Sequence, residues 1–194
     1  MDGNRRELAT FMRRLYWRGL TTTLGGNIST RLPDATGFLI TPSGSDKAMT
    51  RASQIGALDF ACEPLDPGFK PSIEASAHAA VYRVRELVGA VIHAHPATVC
   101  AFAATSAEID SSLIIEAREL LGTIAYVPEF EMGSKELAEA IGRTVAGGAD
   151  CVVMRGHGAL TVGKSLVEAF ERMEVLENAA GMTISIRSDP ELFS

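Results

Sequence analysis

The segment VIHAHPATV, residues 91–99, places His93 and His95 one residue apart in an apolar run that ends at Pro96. The run reads as a buried strand. Strand side chains alternate between faces, so both imidazoles project from one face while Ala94 points away. At a rise of about 3.3 Å per residue their Cα atoms stand about 6–7 Å apart, close enough for both rings to meet one cation. The pair alone is weak evidence, since a histidine inside a core is more often satisfied by hydrogen bonds. His157, in RGHGAL, adds a third imidazole, since its flanking glycines let the backbone turn tightly at the end of an apolar strand. It either decorates that loop or completes a set. Three neutral imidazoles on Zn²⁺ leave one or two positions open, the pattern of a catalytic site and not of a closed structural one. His78, the last of four histidines, follows Glu74 by one helical turn and is expected to pack or to hydrogen-bond.

Glu74 lies near the expected start of a helix. The helix dipole and a neighbouring cation favour its carboxylate, while burial favours the acid. A carboxyl balanced between these influences can move a proton to and from carbon. The other reading is a surface charge at a helix N-terminus. LGGNIS and TPSG offer small residues and free backbone N–H groups, and Ser72 stands at a helix start. Together Asn27, Ser43, Gly44 and Ser72 could cradle a phosphate or carboxylate. Asn27 and Gly44 could equally be turn residues selected for φ > 0. There is no G-x-x-x-x-G-K-[ST] loop or dinucleotide fingerprint, which disfavours nucleotide binding.

The elements that position these residues follow from periodicity. Leu8, Phe11, Met12, Leu15 and Tyr16 form the apolar stripe of a helix that Gly19 stops. Residues 26–41 read as a hairpin around PDATG, and residues 55–60 as a further strand. SIEASAHAAVYRVRE has helical spacing, with Ser72 placed to cap it. Pro96 suits the first turn of a helix after the histidine strand. IAYVPEF is a strand before a helix capped by Ser134, and DCVVMRGHGALTVG is two short strands around the Gly-His-Gly turn. Ser165 and Glu168 form a capping box for the last helix. Strands and helices interleave, but the early hairpin excludes an all-parallel sheet. The expected fold is α/β: one domain over 1–194, a three-layer α/β/α sandwich around a mixed, largely antiparallel sheet.

Composition narrows the function. The 194 residues carry a formal charge of −6 and no dense Lys/Arg block. Nucleic acid and anionic membrane are therefore not expected partners, because both require a basic footprint. A small molecule is expected instead. Three scattered cysteines without CxxC spacing favour a reducing compartment. No run reaches the roughly 20 apolar residues of a membrane span, and the N-terminus lacks a leader's apolar stretch, so cytoplasmic residence is the default expectation.

The ordered set GGNIS, TPSG, PSIEAS, HAHP and RGHGAL resembles the class II aldolase/adducin family over nearly the whole chain. The resemblance implies zinc on His93, His95 and His157, with Mn²⁺ or Co²⁺ as alternatives. It also implies Glu74 as catalytic acid/base, a phosphate pocket at Asn27, Ser43, Gly44 and Ser72, and a homotetramer with sites at subunit interfaces. The expected activity is that of a zinc-dependent lyase of aldolase type in carbohydrate metabolism. Such an enzyme cleaves a C–C bond of a small hydroxy-ketone or sugar-phosphate-like substrate through a metal-stabilised enediolate. A metal-dependent decarboxylase or dehydratase, or a non-catalytic adducin-like interaction module, are the alternatives. Two points bear on the choice. Phosphate-binding aldolases of the family carry a second serine where this chain has Ile73, and the related epimerases place Asp at the position of Glu74. Arg155 beside the Gly-His-Gly turn is a candidate for an acidic group or a structural ion pair, and Tyr126 for a neighbouring subunit's site.

Overall fold

The computed structural model describes residues 2–189 and Glu191. Its centre is a seven-stranded sheet of β1 (Asn27–Arg31), β2 (Gly37–Ile40), β3 (Gly56–Asp59), β4 (Ala90–Ala94), β5 (Ile124–Val127), β6 (Cys151–Met154) and β7 (Gly158–Gly163), in the order β3-β2-β1-β4-β7-β6-β5. Only the edge pair β5–β6 is parallel; every other neighbouring pair is antiparallel. The helices are α1 (Asp2–Trp17), α2 (Ala75–Val84), α3 (Ala97–Ala103), α4 (Ile115–Leu121), α5 (Lys135–Ala146) and α6 (Leu166–Ser188).

Period-two alternation along the central strands splits the apolar residues between two cores. Ile92, Cys151, Val153 and Ala159 face the layer of α1, α3, α4 and α6. Val91, Val152, Met154, Leu160 and Val162 face the layer of α2 and α5. This is the expected three-layer sandwich around a mixed, largely antiparallel sheet. No helix among the described residues is long and apolar enough to cross a membrane.

Local signals account for most boundaries. Ser134 Oγ caps α5 by accepting from Leu137 N at 3.2 Å, and Ser165 Oγ caps α6 by accepting from Glu168 N at 3.2 Å. The return arm of the second cap differs from a capping box. Glu168 accepts from Lys164 N, one residue before the cap. The start of α2 also differs from expectation: Glu74, not Ser72, holds the cap position, with φ −92° and ψ 6°. The segment α4 was not anticipated, because seven residues supply only two turns of periodicity.

Candidate active site

His93 is the penultimate residue of β4, paired with Asn27 of β1 on one side and Leu160 of β7 on the other. Its side chain shares a face with Val91, toward α2. His95 lies just past the strand end, where its N–H donates to Leu20 O at 3.1 Å. His157 sits in the β6–β7 turn, where its own N–H closes onto Met154 O at 3.1 Å and Gly156 adopts φ +71°. Gly156 N–H is bonded to Ala103 O and Arg155 N–H to Val127 O, which anchors the turn against the neighbouring strand and helix. Chain segments more than 60 residues apart thus bring three rings together. Their centroids are 4.7 Å apart for His93–His95, 4.7 Å for His93–His157 and 5.3 Å for His95–His157.

Close backbone approach makes this possible. A Cβ at Gly158 would fall 2.6 Å from Ala94 O and 2.6 Å from His95 Cδ2. Gly26 has φ +69°, and a Cβ there would meet His93 O at 2.7 Å.

The donor set suits a divalent cation. One ring nitrogen from each histidine lies within 4.8 Å of the others. His93 Nε2, His95 Nε2 and both nitrogens of His157 are buried without a hydrogen-bond partner. Orphaned buried nitrogens are costly unless something occupies them. His93 Nδ1 lies 2.9 Å from Ala159 O, and a carbonyl can only accept, so the proton is on Nδ1 and the Nε2 lone pair faces the cluster. Burial, then the neighbouring His157, pushes the His93 pKa down to about 3. Burial, then His93, lowers that of His95 to about 4. Both rings are neutral at physiological pH, as metal ligands must be.

Glu74 stands beside this cluster, with Oε1 3.3 Å from His93 Nε2 and 3.3 Å from His157 Nε2. Its other oxygen, Oε2, accepts from Asn27 Nδ2 at 2.7 Å. Behind that amide runs a buried chain of hydrogen bonds whose direction is fixed by its ends. The carboxylate and Ser72 Oγ, at 3.2 Å, take the Asn27 N–H groups, so Asn27 Oδ1 accepts from His78 Nε2–H at 2.5 Å. His78 Nδ1 is then an acceptor and takes the Ser29 hydroxyl at 2.6 Å, and Ser29 Oγ accepts from Tyr82 OH at 2.7 Å. Burial, then His93, lowers the His78 pKa to about 3, which keeps the ring neutral as this polarity requires. The chain dedicates Oε2 to accepting and leaves Oε1 as the oxygen that faces the imidazoles.

The structure therefore gathers His93, His95, His157, Glu74, Asn27 and Ser72. Asn27 opens β1 in extended conformation and touches Glu74 directly. Ser43 and Gly44 lie in the loop after β2. An isolated bridge between Pro42 and Pro71 sets them beside the segment leading to Ser72, and Gly44 has φ +61°. Ser43 also lines a cavity of about 570 Å³ with Arg5, Asp66 and Lys70. Among the described residues Arg155 pairs with no carboxylate: its guanidinium donates to the carbonyls of Phe102, Thr105 and Ala107 and lies over the Tyr126 ring. The Tyr126 hydroxyl accepts from Ile109 N at 2.8 Å within the same chain. Ser29, Tyr82 and Lys47 were not expected near the site. The i, i+4 spacing of Glu74, His78 and Tyr82 on one helix, and the i, i+2 spacing of Asn27 and Ser29 on one strand, carried the signal for the first two.

The chain matches the Class II Aldolase and Adducin N-terminal domain family over residues 6–184. It is 30% identical over 181 residues to an L-fuculose phosphate aldolase of Methanocaldococcus jannaschii, covering 93% of this chain and 96% of that one. It is 33% identical to a methylthioribulose-1-phosphate dehydratase of Granulibacter bethesdensis, covering 84% and 83%. The crystal structure of YgbL from Escherichia coli superposes with a TM-score of 0.86 at 28% identity, covering 95% and 90%. With a match that spans both the histidine cluster and the acid beside it, the chain belongs to the class II aldolase/adducin family.

Proposed function

We propose that this protein is a metal-dependent lyase of aldolase type, with zinc as its cation and a small phosphorylated hydroxy-ketone as its substrate. The observation that carries the reading is the position of Glu74 Oε1, 3.3 Å from a ring nitrogen of each of two histidines in the three-histidine set. A divalent cation on His93, His95 and His157 would draw electron density from a substrate carbonyl oxygen. The rest of the chemistry belongs to the chain. Glu74, held through Oε2 by Asn27, takes the hydroxyl proton on Oε1 as the bond between the α-carbon and the hydroxyl-bearing carbon breaks, which releases an aldehyde and leaves the α-carbon electron-rich; Oε1 then returns that proton to the α-carbon. The buried chain back to Tyr82 keeps the carboxyl aimed and excludes water behind it.

The dehydratase relative supports a second reading, in which Glu74 takes a proton beside the carbonyl and a hydroxide leaves. A decarboxylase relative is 29% identical. One screen separates them. Purified protein is given phosphorylated and unphosphorylated hydroxy-ketones and hydroxy-acids, and aldehyde, water-loss product and carbon dioxide are followed. The aldolase reading expects aldehyde, with turnover about 10²–10⁴-fold lower in Glu74→Gln at unchanged metal content. Unchanged turnover in Glu74→Gln removes the residue from the chemistry. A folded, metal-free protein with none of these activities favours the interaction module.

A further inference from the structure

The spacing between His95 and His157 is not set by the sheet. His95 follows the last residue of β4, and His157 lies in the turn between β6 and β7, so neither is held by strand pairing. What joins them is α3, which begins two residues after His95 and ends against that turn.

A helix of seven residues is too short to hold itself together in isolation. Its cap position is Pro96, whose side chain accepts no hydrogen bond from the first N–H groups. Glu177 of α6 supplies the missing acceptors. Its Oε1 accepts from Thr98 N at 2.9 Å and from Thr98 Oγ1 at 2.7 Å, and its Oε2 accepts from Val99 N at 2.9 Å. At the other end the donors come from the turn that carries His157. Ala103 O accepts from Gly156 N at 2.9 Å, and Phe102 O accepts from Arg155 Nη1 at 2.7 Å. The same guanidinium reaches on to Thr105 O and Ala107 O past the helix end. Midway along, the Cys100 thiol points at His157 O, with Sγ 3.7 Å away.

An anion at the N-terminus and a cation at the C-terminus both match the helix dipole. The short helix is thus a strut, fixed to α6 beside His95 and to the β6–β7 turn beside His157. We infer that Glu177 and Arg155 are positioning residues, which set the separation of these two imidazoles through α3 and thereby the affinity of the three-histidine set for its cation. This rests on the three-histidine reading of the metal site, but not on which reaction the metal serves.

The test is titration of the chelator-treated full chain with Co²⁺, read by visible absorption, which reports ligand geometry as well as affinity. The wild type should bind one ion. Glu177→Ala and Arg155→Met should each bind it about 10–100-fold more weakly, the range typical of residues that orient metal ligands, with altered absorption. Glu177→Gln keeps one acceptor and should fall between, so a folding failure of the Ala variant does not decide the matter. Arg85→Ala breaks the ion pair with Asp150 at the opposite end of β6. It should keep the affinity and absorption of the wild type whatever its urea midpoint. Wild-type affinity and absorption in both Glu177→Gln and Arg155→Met would overturn the inference and leave the metal site standing. So would equal weakening in Arg85→Ala, which would show that affinity follows overall stability. A wild type that binds no Co²⁺ would remove the metal reading and this inference with it.

Discussion

Asn27 and His93 stand directly opposite one another in the β1–β4 register. The amide that holds Glu74 and the first imidazole of the cluster are thus one cross-strand pair. Side chains opposite each other on one face of a sheet have Cβ atoms about 5 Å apart. The residue that holds the acid and the first of the cation donors are therefore positioned by the sheet itself.

Asn27→Ala removes the donor to Glu74 Oε2 and the acceptor for His78 Nε2–H in one step. Leaving a buried donor unpaired costs about 1–3 kcal/mol of stability. The account expects that loss in urea unfolding, a large fall in kcat and full retention of metal. Unaltered kcat would mean that Glu74 does not depend on Asn27 for its placement.

Tyr82 ends the buried chain. Tyr82→Phe deletes only the outermost hydrogen bond and should cost about 1 kcal/mol, with kcat within a few-fold of wild type. His78→Leu interrupts the chain beside Asn27 and should lower kcat far more. Equal kcat in both variants would show that the chain is packing only.

Gly158→Ala places a methyl group 2.6 Å from Ala94 O and from the His95 ring. Overpacking of this kind costs about 1–3 kcal/mol and displaces side chains. Because the displaced ring is a ligand candidate, the variant should lose metal affinity along with stability. Wild-type affinity would place His95 outside the ligand set.

Acid should destabilise the metal-free protein before its carboxylates titrate. His78 and His93 fall to about 3 and His95 to about 4 in the fold, all from 6.5. Folded-state values lie below unfolded ones, so below pH 6.5 the unfolded chain binds more protons. This contribution is complete above 6.5 and is lost progressively as pH falls toward about 3. Urea midpoints of chelator-treated protein should decline between pH 6.5 and 5. A flat or rising midpoint over that interval would contradict the burial of neutral imidazoles.

The sequence carried the site further than it carried the connections behind it. HxH on an apolar run and the glycine-flanked His157 were legible because strand period and turn chemistry are local rules. The glycines of LGGNIS were readable as a small-residue loop, but not that the missing Cβ of Gly26 makes room for His93 O. The chain from Tyr82 to Glu74 crosses from helix to strand twice, and such pairings depend on which face of α2 lies on β1. Lys47 was missed for a similar reason: lysine in a polar loop reads as solvated, and its burial depends on how segments distant in the chain pack around it. Arg155 was read as a charge awaiting a charge, whereas backbone carbonyls satisfy it.

The central claim is that three imidazoles from distant parts of the chain hold one divalent ion. Elemental analysis of purified wild type and His157→Ala, paired with unfolding curves for both, tests it most directly. The account predicts one divalent ion per wild-type chain and its loss from a still-folded His157→Ala. A wild-type protein that folds without metal after exposure to zinc, manganese or cobalt, or a His157→Ala variant that keeps its ion, would contradict it.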